Sequence, residues 1–215
     1  MTAISDLVDL SQPSLWIATF SILFNPIYWN TLARSEYRSK TLTKLAGGNA
    51  RLGCYCLAFS IFSLGLLRDQ LYSLALEKQP KLAVLHYGAF KAVAALSFIT
   101  GSTLVVSSMW KLGVTGTYLG DYFGILMDDR VTSFPFDVCD NPMYDGSTLC
   151  FLATALYKER AAGILLSILV FIEYRIALLF EEPFTHAIYA KRDQALKKRG
   201  TGGSPSKAAA PRKGH

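Results

Sequence analysis

The chain has 215 residues, of which 51% are apolar, and its formal net charge at neutral pH is +6. The apolar fraction and the mean hydropathy of +0.28 are both high for a soluble domain of this length. The apolar residues are bunched into blocks and are not spread at the period of a soluble core. This pattern indicates an integral membrane protein and excludes an ordinary soluble enzyme.

Four apolar blocks follow one another along the chain, at 15–29, 52–67, 92–112 and 161–180. The last two are long enough for a membrane helix, which needs about 20 mostly apolar residues. The second reaches that length if its helix starts near residue 46. The first is marginal, because Asn25 and Pro26 interrupt it. We therefore predict an all-α, polytopic bundle of about four membrane helices.

The N-terminal segment carries Asp6 and Asp9 in place of the basic residues of a secretory leader, so we expect no cleaved signal peptide. The 4 cysteines form no CxxC pair, and the histidines have no partner at ligand spacing. We therefore predict no metal site.

Two basic segments determine the predicted orientation. One lies at 34–51, and the other follows the last apolar block. The positive-inside rule places both in the cytosol, which a count of one span per block does not allow. Residues 147–157 are apolar for only about half a span. If they enter the membrane and the last helix returns, as a short helical hairpin over 147–180, both basic segments lie in the cytosol. We predict that a glycosylation acceptor placed near Asp128 stays unmodified.

We assign residues 1–193 to a single membrane-embedded domain and residues 194–215 to a disordered basic tail, in which Lys and Arg are mixed with Gly, Ser, Pro and Ala. The tail is expected to lie near anionic headgroups. Binding to nucleic acid is the weaker alternative, and we predict no nucleic-acid partner.

Glycines crowd the segment at 113–124 (GVTGTYLGDYFG), which follows a membrane helix. They indicate either a tight interfacial turn where the backbone approaches a ligand, or a loop anchored by its aromatic residues. The spacing differs from GxGxxG, so a dinucleotide site is not predicted.

Prolines, aromatic residues and acids are mixed over 130–146 (RVTSFPFDVCDNPMYDG). We expect a shaped loop here, because Pro135 and Pro142 favour extended conformations in the residues before them. Aromatic rings beside carboxylates suit a methylated ammonium group. An ordinary aromatic cluster at the membrane interface is the alternative.

Two adjacent carboxylates, Glu181 and Glu182, lie at the foot of the last apolar block. At the C-terminus of a helix they oppose the macrodipole, which favours cations there by about 0.3–1 kcal/mol per charge. We therefore predict a bound cation that stabilises the pair.

Several motifs together carry a resemblance to a known family: NPIYWN (25–30), GTYLGDYFGI (116–125), FPF (134–136), DNPMYDGST (140–148) and EEPFTHAIY (181–189). In this order they closely resemble the phospholipid N-methyltransferases. These membrane enzymes methylate phosphatidylethanolamine and its mono- and dimethyl forms to phosphatidylcholine. The resemblance covers the chain from about Leu7 to Asp193, and it is closest to the short enzymes that perform the second and third methylations.

The resemblance implies S-adenosylmethionine as methyl donor and a phospholipid from the bilayer as substrate. It also implies residence in the endoplasmic reticulum membrane and allows contact with mitochondrial membranes. The family assigns donor binding to a Gly-x-Gly in the third helix and to the acidic pair, which implicates Gly101, Glu181 and Glu182. The first glycine of that motif is absent, since Ile99 stands in its place.

The run at 141–146 is similar to the His-Pro-x-Tyr-x-Gly of the isoprenylcysteine carboxyl methyltransferases, which implies a shared membrane methyltransferase fold. Asn141 replaces the histidine, so an acid–base role does not carry over.

Removal of the proton from the lipid amine requires a base, and the unranked candidates are Glu181, Glu182, Asp121 and Asp140. The headgroup candidates are Asn141, Tyr144, Tyr118 and Arg130, and Arg130 or Lys111 is placed to meet the phosphate. Three alternatives remain: methylation that starts from phosphatidylethanolamine itself, a methyltransferase of this fold acting on a sterol, an isoprenoid thiol or a prenylated carboxylate, and a non-enzymatic membrane lipid-binding scaffold.

Overall fold

The computed structural model describes residues 7–128 and 131–201, with side chains up to Lys197. Within these residues the chain forms helices and no strand. Six α-helices follow in order: α1 (Pro13–Ser39), α2 (Thr41–Leu45), α3 (Ala50–Glu77), α4 (Gly88–Thr117), α5 (Pro142–Tyr157) and α6 (Ala161–Thr201). Two 3₁₀ turns, Ala83–His86 and Gly120–Phe123, precede and follow α4.

Three helical segments of the described chain are long and apolar enough to cross a membrane: Ala50–Glu77, Gly88–Phe123 and Ala161–Lys197. Large apolar side chains point outward from them, and Phe59, Leu96 and Trp110 are 74%, 66% and 86% exposed. Helices whose outer faces are apolar are suited to contact with lipid chains. The prediction of an all-α membrane bundle is confirmed.

The first helix, α1, continues through Asn25 and Pro26, both of which are buried. An interior proline removes one backbone hydrogen bond, which neighbouring helices can compensate in a membrane protein. The predicted interruption at this dipeptide is therefore not a break in the helix. The helix has 27 residues, and its last turns belong to the basic segment at 34–51.

The predicted hairpin is present as α5 and α6, which are joined by a short turn. The helix α5 begins at Pro142, earlier than predicted, so the expectation of a loop as far as Gly146 is wrong. The physical reason is that proline is favoured in the first turn of a helix, where its missing N–H has no partner to lose. Only the segment before Pro142 forms the loop.

The turn between α5 and α6 is stabilised by Glu159. Its Oε1 lies 2.7 Å from Nζ of Lys91 and 3.1 Å from Nδ1 of His86. Its backbone carbonyl accepts a hydrogen bond of 2.9 Å from the amide of Leu82. Hydrogen bonds from Lys91 and then His86 lower the pKa of Glu159 to about 2. The turn is thus tied to the segment that precedes α4.

Helices α4 and α5 are in backbone contact at two glycines. A Cβ atom added to Gly101 would lie 2.5 Å from the carbonyl oxygen of Gly146, and one added to Gly146 would lie 2.6 Å from that of Gly101. Small residues permit this approach, as at other helix interfaces in membranes. Gly101 therefore serves the packing of two helices.

The last helix, α6, is 41 residues long and includes Pro183 in its interior. The expectation that Glu181 and Glu182 stand at a helix C-terminus is therefore wrong, and the argument from the macrodipole does not apply to them. The helix is described as far as Thr201, inside the segment assigned to the tail from residue 194. The rest of that predicted tail, 202–215, lies outside the described residues.

Candidate active site

A cavity of about 500 Å³ lies between α1, α3, α4, α5 and α6. Two segments that the sequence singled out border it, the glycine-rich segment after α4 and the start of α5. Most of the predicted site residues line it together: Tyr118, Asp121, Asp140, Asn141, Tyr144 and Glu181. The fold thus collects residues that are up to 63 positions apart along the chain around one space.

Glu181 is held by three side chains. Its Oε1 accepts hydrogen bonds from Nε1 of Trp29 at 2.7 Å and from Nδ2 of Asn30 at 2.8 Å. Its Oε2 accepts one from the hydroxyl of Tyr144 at 2.6 Å. Since Trp29 and Asn30 belong to α1 and Tyr144 to α5, the carboxylate joins three helices at one point.

The charge of Glu181 has no counter-ion in the described part of the chain. Glu181 is 9% exposed, and no ion pair of the described residues includes it. A buried carboxylate that is bonded only by neutral donors has lost most of its hydration without gaining a positive neighbour. The site is therefore suited to a ligand that carries a positive charge.

Asp121 is the second carboxylate in the cavity wall. Its Oδ2 accepts a hydrogen bond of 2.8 Å from Oγ1 of Thr185, and its Oδ1 accepts one of 3.1 Å from the amide of Tyr122. No ion pair of the described residues includes Asp121 either. Asp140 also lines the cavity, but it is exposed to solvent.

Glu182 points away from the cavity and is exposed. Its Oε1 accepts a hydrogen bond of 3.0 Å from Nδ2 of Asn141, which does line the cavity. The two members of the acidic pair therefore differ. Glu181 faces the enclosed space, whereas Glu182 holds the start of α5 against α6.

Aromatic rings form much of the remaining wall: Trp29, Phe62, Tyr118, Phe136, Tyr144, Tyr174 and Tyr189. The rings of Tyr144 and Tyr174 are in tilted contact, with 4.7 Å between their centroids. The faces of such rings attract ammonium and methylated ammonium groups. The expected combination of aromatic rings and carboxylates is therefore present in one cavity.

The part of α6 beyond Pro183 covers one side of the cavity. The hydroxyl of Tyr189 accepts a hydrogen bond of 3.2 Å from the amide of Met127, and Nη1 of Arg192 donates to the carbonyl of Met127 at 2.6 Å. These contacts fix the segment that follows the glycine-rich turn. Continuation of α6 past Pro183 thus encloses the site.

Three predicted residues that the structure describes do not line the cavity: Gly101, Lys111 and Glu182. Gly101 lies at the contact of α4 with α5 and does not border this space. Its predicted role at the methyl donor stays a prediction. Arg130, a predicted headgroup residue, lies outside the described residues, and Lys111 is exposed and does not line the cavity.

Sequence reasoning did not find the roles of Trp29, Asn30 and Arg68. Trp29 and Asn30 are the last two residues of the NPIYWN motif. Polar groups in an apolar helix indicate a buried partner, and this was the available signal. Arg68 lines the cavity from the middle of α3 and is 8% exposed. An arginine and an aspartate side by side inside a membrane segment are the same kind of signal.

The comparisons with known proteins agree with these motifs. The family model described as phospholipid methyltransferase matches residues 90–192. The phosphatidyl-N-methylethanolamine N-methyltransferase of Emericella nidulans is 57% identical over 94% of this chain and 98% of its own length. The protein of the same name from Saccharomyces cerevisiae is 54% identical over 88% and 92%. The phosphatidylethanolamine N-methyltransferase of Homo sapiens is 42% identical over 93% and 100%.

No solved structure matches the chain, so the predicted likeness to the isoprenylcysteine carboxyl methyltransferases stays a prediction. Relatives that are more than half identical and that align over nearly their whole length leave no doubt about the family. The chain is an enzyme that belongs to the phospholipid methyltransferase family.

Proposed function

We propose that the protein transfers a methyl group from S-adenosylmethionine to phosphatidyl-N-methylethanolamine and phosphatidyl-N,N-dimethylethanolamine, which yields phosphatidylcholine. The observation that carries the proposal is Glu181, a buried carboxylate in an aromatic cavity. It accepts hydrogen bonds only from neutral side chains of the described residues. Both the donor and the lipid amine carry a positive charge that such a site would bind.

Glu181 fits the cationic end of the donor. A carboxylate has about four acceptor positions, and three of them are occupied by Trp29, Asn30 and Tyr144. The remaining position on Oε2 is open to an ammonium group in the cavity. When bound, the donor supplies an electrophilic methyl group on its sulfonium. The three hydrogen bonds keep Glu181 in one orientation. Glu181 therefore positions the ammonium group of the donor, and with it the methyl group.

Asp121 is the base in this proposal. The lipid amine must lose its proton before it attacks, because a protonated nitrogen has no lone pair. Asp121 lines the cavity, whereas Asp140 is exposed and Glu182 lies outside the lining. Glu181 is already committed to three donors. The proton passes from the nitrogen to the carboxylate of Asp121 and then to water.

The aromatic wall supports substrates that already carry a methyl group. Each methylation removes an N–H donor from the amine, so the later substrates depend on charge and on ring faces more than on hydrogen bonds. The names of the relatives agree. Those named for phosphatidyl-N-methylethanolamine are 53–57% identical to this chain.

A second candidate is methylation that starts from phosphatidylethanolamine. Relatives named for that substrate are 42–47% identical to this chain. In membranes that contain the chain, labelled S-adenosylmethionine should introduce label into dimethyl lipid and phosphatidylcholine when monomethyl lipid is supplied. Label in monomethyl lipid after addition of phosphatidylethanolamine would establish the second candidate. Absence of label from every lipid would reject both.

Residence in the endoplasmic reticulum, with the basic C-terminal tail in the cytosol, is part of the proposal. The basic segment at 34–51 and the basic residues at the end of α6 support this orientation by the positive-inside rule. Asn141 lies 3.0 Å from Glu182, so the start of α5 and the acidic pair are on one side of the bundle. A glycosylation acceptor placed at Asp128 should remain unmodified in microsomes. Modification there would show that the chain has the opposite orientation.

Residues 1–193 carry the catalytic domain in this proposal, because Tyr189 is the last of the described residues that line the cavity. A chain that stops after Thr201 should keep its methyl-transfer rate. A large loss of rate in that truncated chain would assign a catalytic task to the tail.

A further inference from the structure

A second cavity of about 410 Å³ adjoins the first, between α3, α4 and α5. Its outer wall includes Phe98 and Val106, which are 55% and 64% exposed on the lipid-facing surface of α4. The two cavities share four lining residues: Arg68, Asp69, Val105 and Ser147. The cavity beside the lipid-facing surface of α4 and the cavity that contains Glu181 therefore meet at Arg68 and Asp69.

Arg68 is the only lysine or arginine that lines either cavity within the described residues. Its Nε and Nη2 donate to Oδ1 of Asp69 at 3.0 and 2.9 Å, and its Nη1 donates to the hydroxyl of Tyr174 at 2.6 Å. The guanidinium also lies over the ring of Phe151, with 4.8 Å between Cζ and the ring centroid. Its position is thus fixed by three neighbours.

The guanidinium of Arg68 keeps free donors. An arginine has five N–H groups, and these contacts use three of them, so one remains on Nη1 and one on Nη2. Two N–H groups on a planar fork match the oxygens of a phosphate. Arg68 can therefore bind an anion without giving up Asp69 or Tyr174.

The depth of Arg68 suits the phosphate of a lipid. Its partner Tyr174 precedes Glu181 by seven residues on α6, which is about 10 Å along the helix axis. A lipid in the leaflet nearest Glu181 has its amine outermost, its phosphate deeper and its acyl chains deeper still. With the phosphate at Arg68, the short ethanolamine linker extends toward Glu181 and the acyl chains remain in the second cavity and the bilayer.

We propose that Arg68 binds the phosphate of the lipid substrate at the junction of the two cavities, with Asp69 as the positioning residue for its guanidinium. The inference rests on the proposed function and replaces Arg130 and Lys111 in the role expected from the sequence. The carboxylate of the donor is a less suitable ligand. It belongs to the same amino-acid group as the ammonium assigned to Glu181 and therefore lies near Glu181.

A purely structural role for Arg68 is the competing explanation. Besides Asp69, the buried Glu173 interacts electrostatically with Arg68, and both carboxylate oxygens of Glu173 lack a hydrogen-bond partner among the described residues. Loss of Arg68 would then destabilise the bundle without a specific effect on lipid affinity. The experiments must separate these two effects.

The first experiment compares kinetic constants for the two substrates in mixed micelles. Arg68→Lys should raise the apparent KM for monomethyl lipid by about tenfold or more, because lysine keeps the charge but not the paired donors. The KM for S-adenosylmethionine should stay within about twofold. Lys111→Gln, which removes an exposed charge outside both cavities, is the matched control and should leave both constants unchanged. A larger effect on the donor than on the lipid would overturn the proposal.

The second experiment uses the wild-type protein and so does not depend on whether a variant folds. The substrate is compared with the methyl phosphotriester of the same lipid, in which phosphorus stays tetrahedral but the added methyl ester removes the negative charge. The wild type should use the triester at least about tenfold less efficiently, measured as kcat/KM. Equal use of both lipids would reject the phosphate site alone, whereas inactivity on every lipid would reject the proposed function and the site together.

Discussion

Two buried glutamates mark opposite ends of the α5–α6 hairpin, and their surroundings differ in one respect. Glu159, in the turn, is bonded by Lys91 and His86, so the chain supplies a counter-charge through Lys91. Glu181, beside the start of α5, is bonded by Trp29, Asn30 and Tyr144, which are all neutral.

In the proposed function, Glu159 is a structural carboxylate and Glu181 is a carboxylate that binds a ligand. Both are less than 10% exposed, so burial alone does not distinguish them. The chain supplies a positive neighbour to Glu159 through Lys91, whereas in the proposed function a bound cation neutralises the charge of Glu181. The predictions below test this difference.

The largest effect is expected from Glu181→Gln. The change keeps the size of the side chain and removes the charge that binds the donor, so kcat/KM for S-adenosylmethionine should fall by about 100-fold or more. Initial rates at varied donor concentration measure it. The matched control is Glu159→Gln, which should keep the KM for the donor. An unchanged donor constant in Glu181→Gln would remove the distinction between the two glutamates.

Asp121→Asn should lower kcat by about 100-fold, since a general base contributes at least that factor. The binding constant of the donor should stay close to that of the wild type. The lost rate should partly return as the pH rises, because the lipid amine then loses its proton to the solvent. Asp140→Asn is the control and should retain most of the rate. Equal losses in the two variants, or a flat pH profile, would refute the role of Asp121.

Trp29→Phe should raise the KM for the donor by about tenfold. The substitution keeps an aromatic ring and removes one of the two donors to Oε1 of Glu181, and a hydrogen bond to a charged group is worth about 1.5–3 kcal/mol. Donor affinity and thermal stability are measured on the same sample. A fall in Tm with an unchanged donor constant would show that Trp29 only packs the bundle.

The smallest effect is expected from Glu159→Gln, which should lower the Tm by a few degrees and leave the kinetic constants unchanged. The pKa of Glu159 is lowered from 4.5 to about 2, so the stability it contributes is fully present above pH 4.5. That contribution is lost as the pH falls toward 2. The difference in Tm between variant and wild type should shrink as the pH falls from 4.5 toward 2. A difference that grows over this range would contradict the assignment.

The sequence was sufficient for the parts of the fold that depend on local composition. Apolar blocks predicted α3, α4 and α6, and the charge conflict predicted the hairpin. It was insufficient at prolines. Pro26 and Pro183 lie inside helices and Pro142 starts one, because packing against neighbouring helices determines whether a proline ends a helix.

The sequence predicted many residues of the candidate site, but not the physical reason why they form a site. The sequence argument for Glu181 is a carboxylate that opposes a helix dipole, whereas the structure shows a carboxylate buried among neutral donors. Trp29 and Asn30 lie 151 or more positions away along the chain. No local pattern relates them to Glu181, and only the tertiary structure brings them together.

The contact of Gly101 with Gly146 limits how a lipid can enter. The backbones of α4 and α5 touch there, with no room for even one added carbon, so these helices form a single rigid wall. If the cavity beside Phe98 and Val106 has to widen to admit a lipid, we expect the widening to come from α3, the third helix of its wall and the one that carries Arg68.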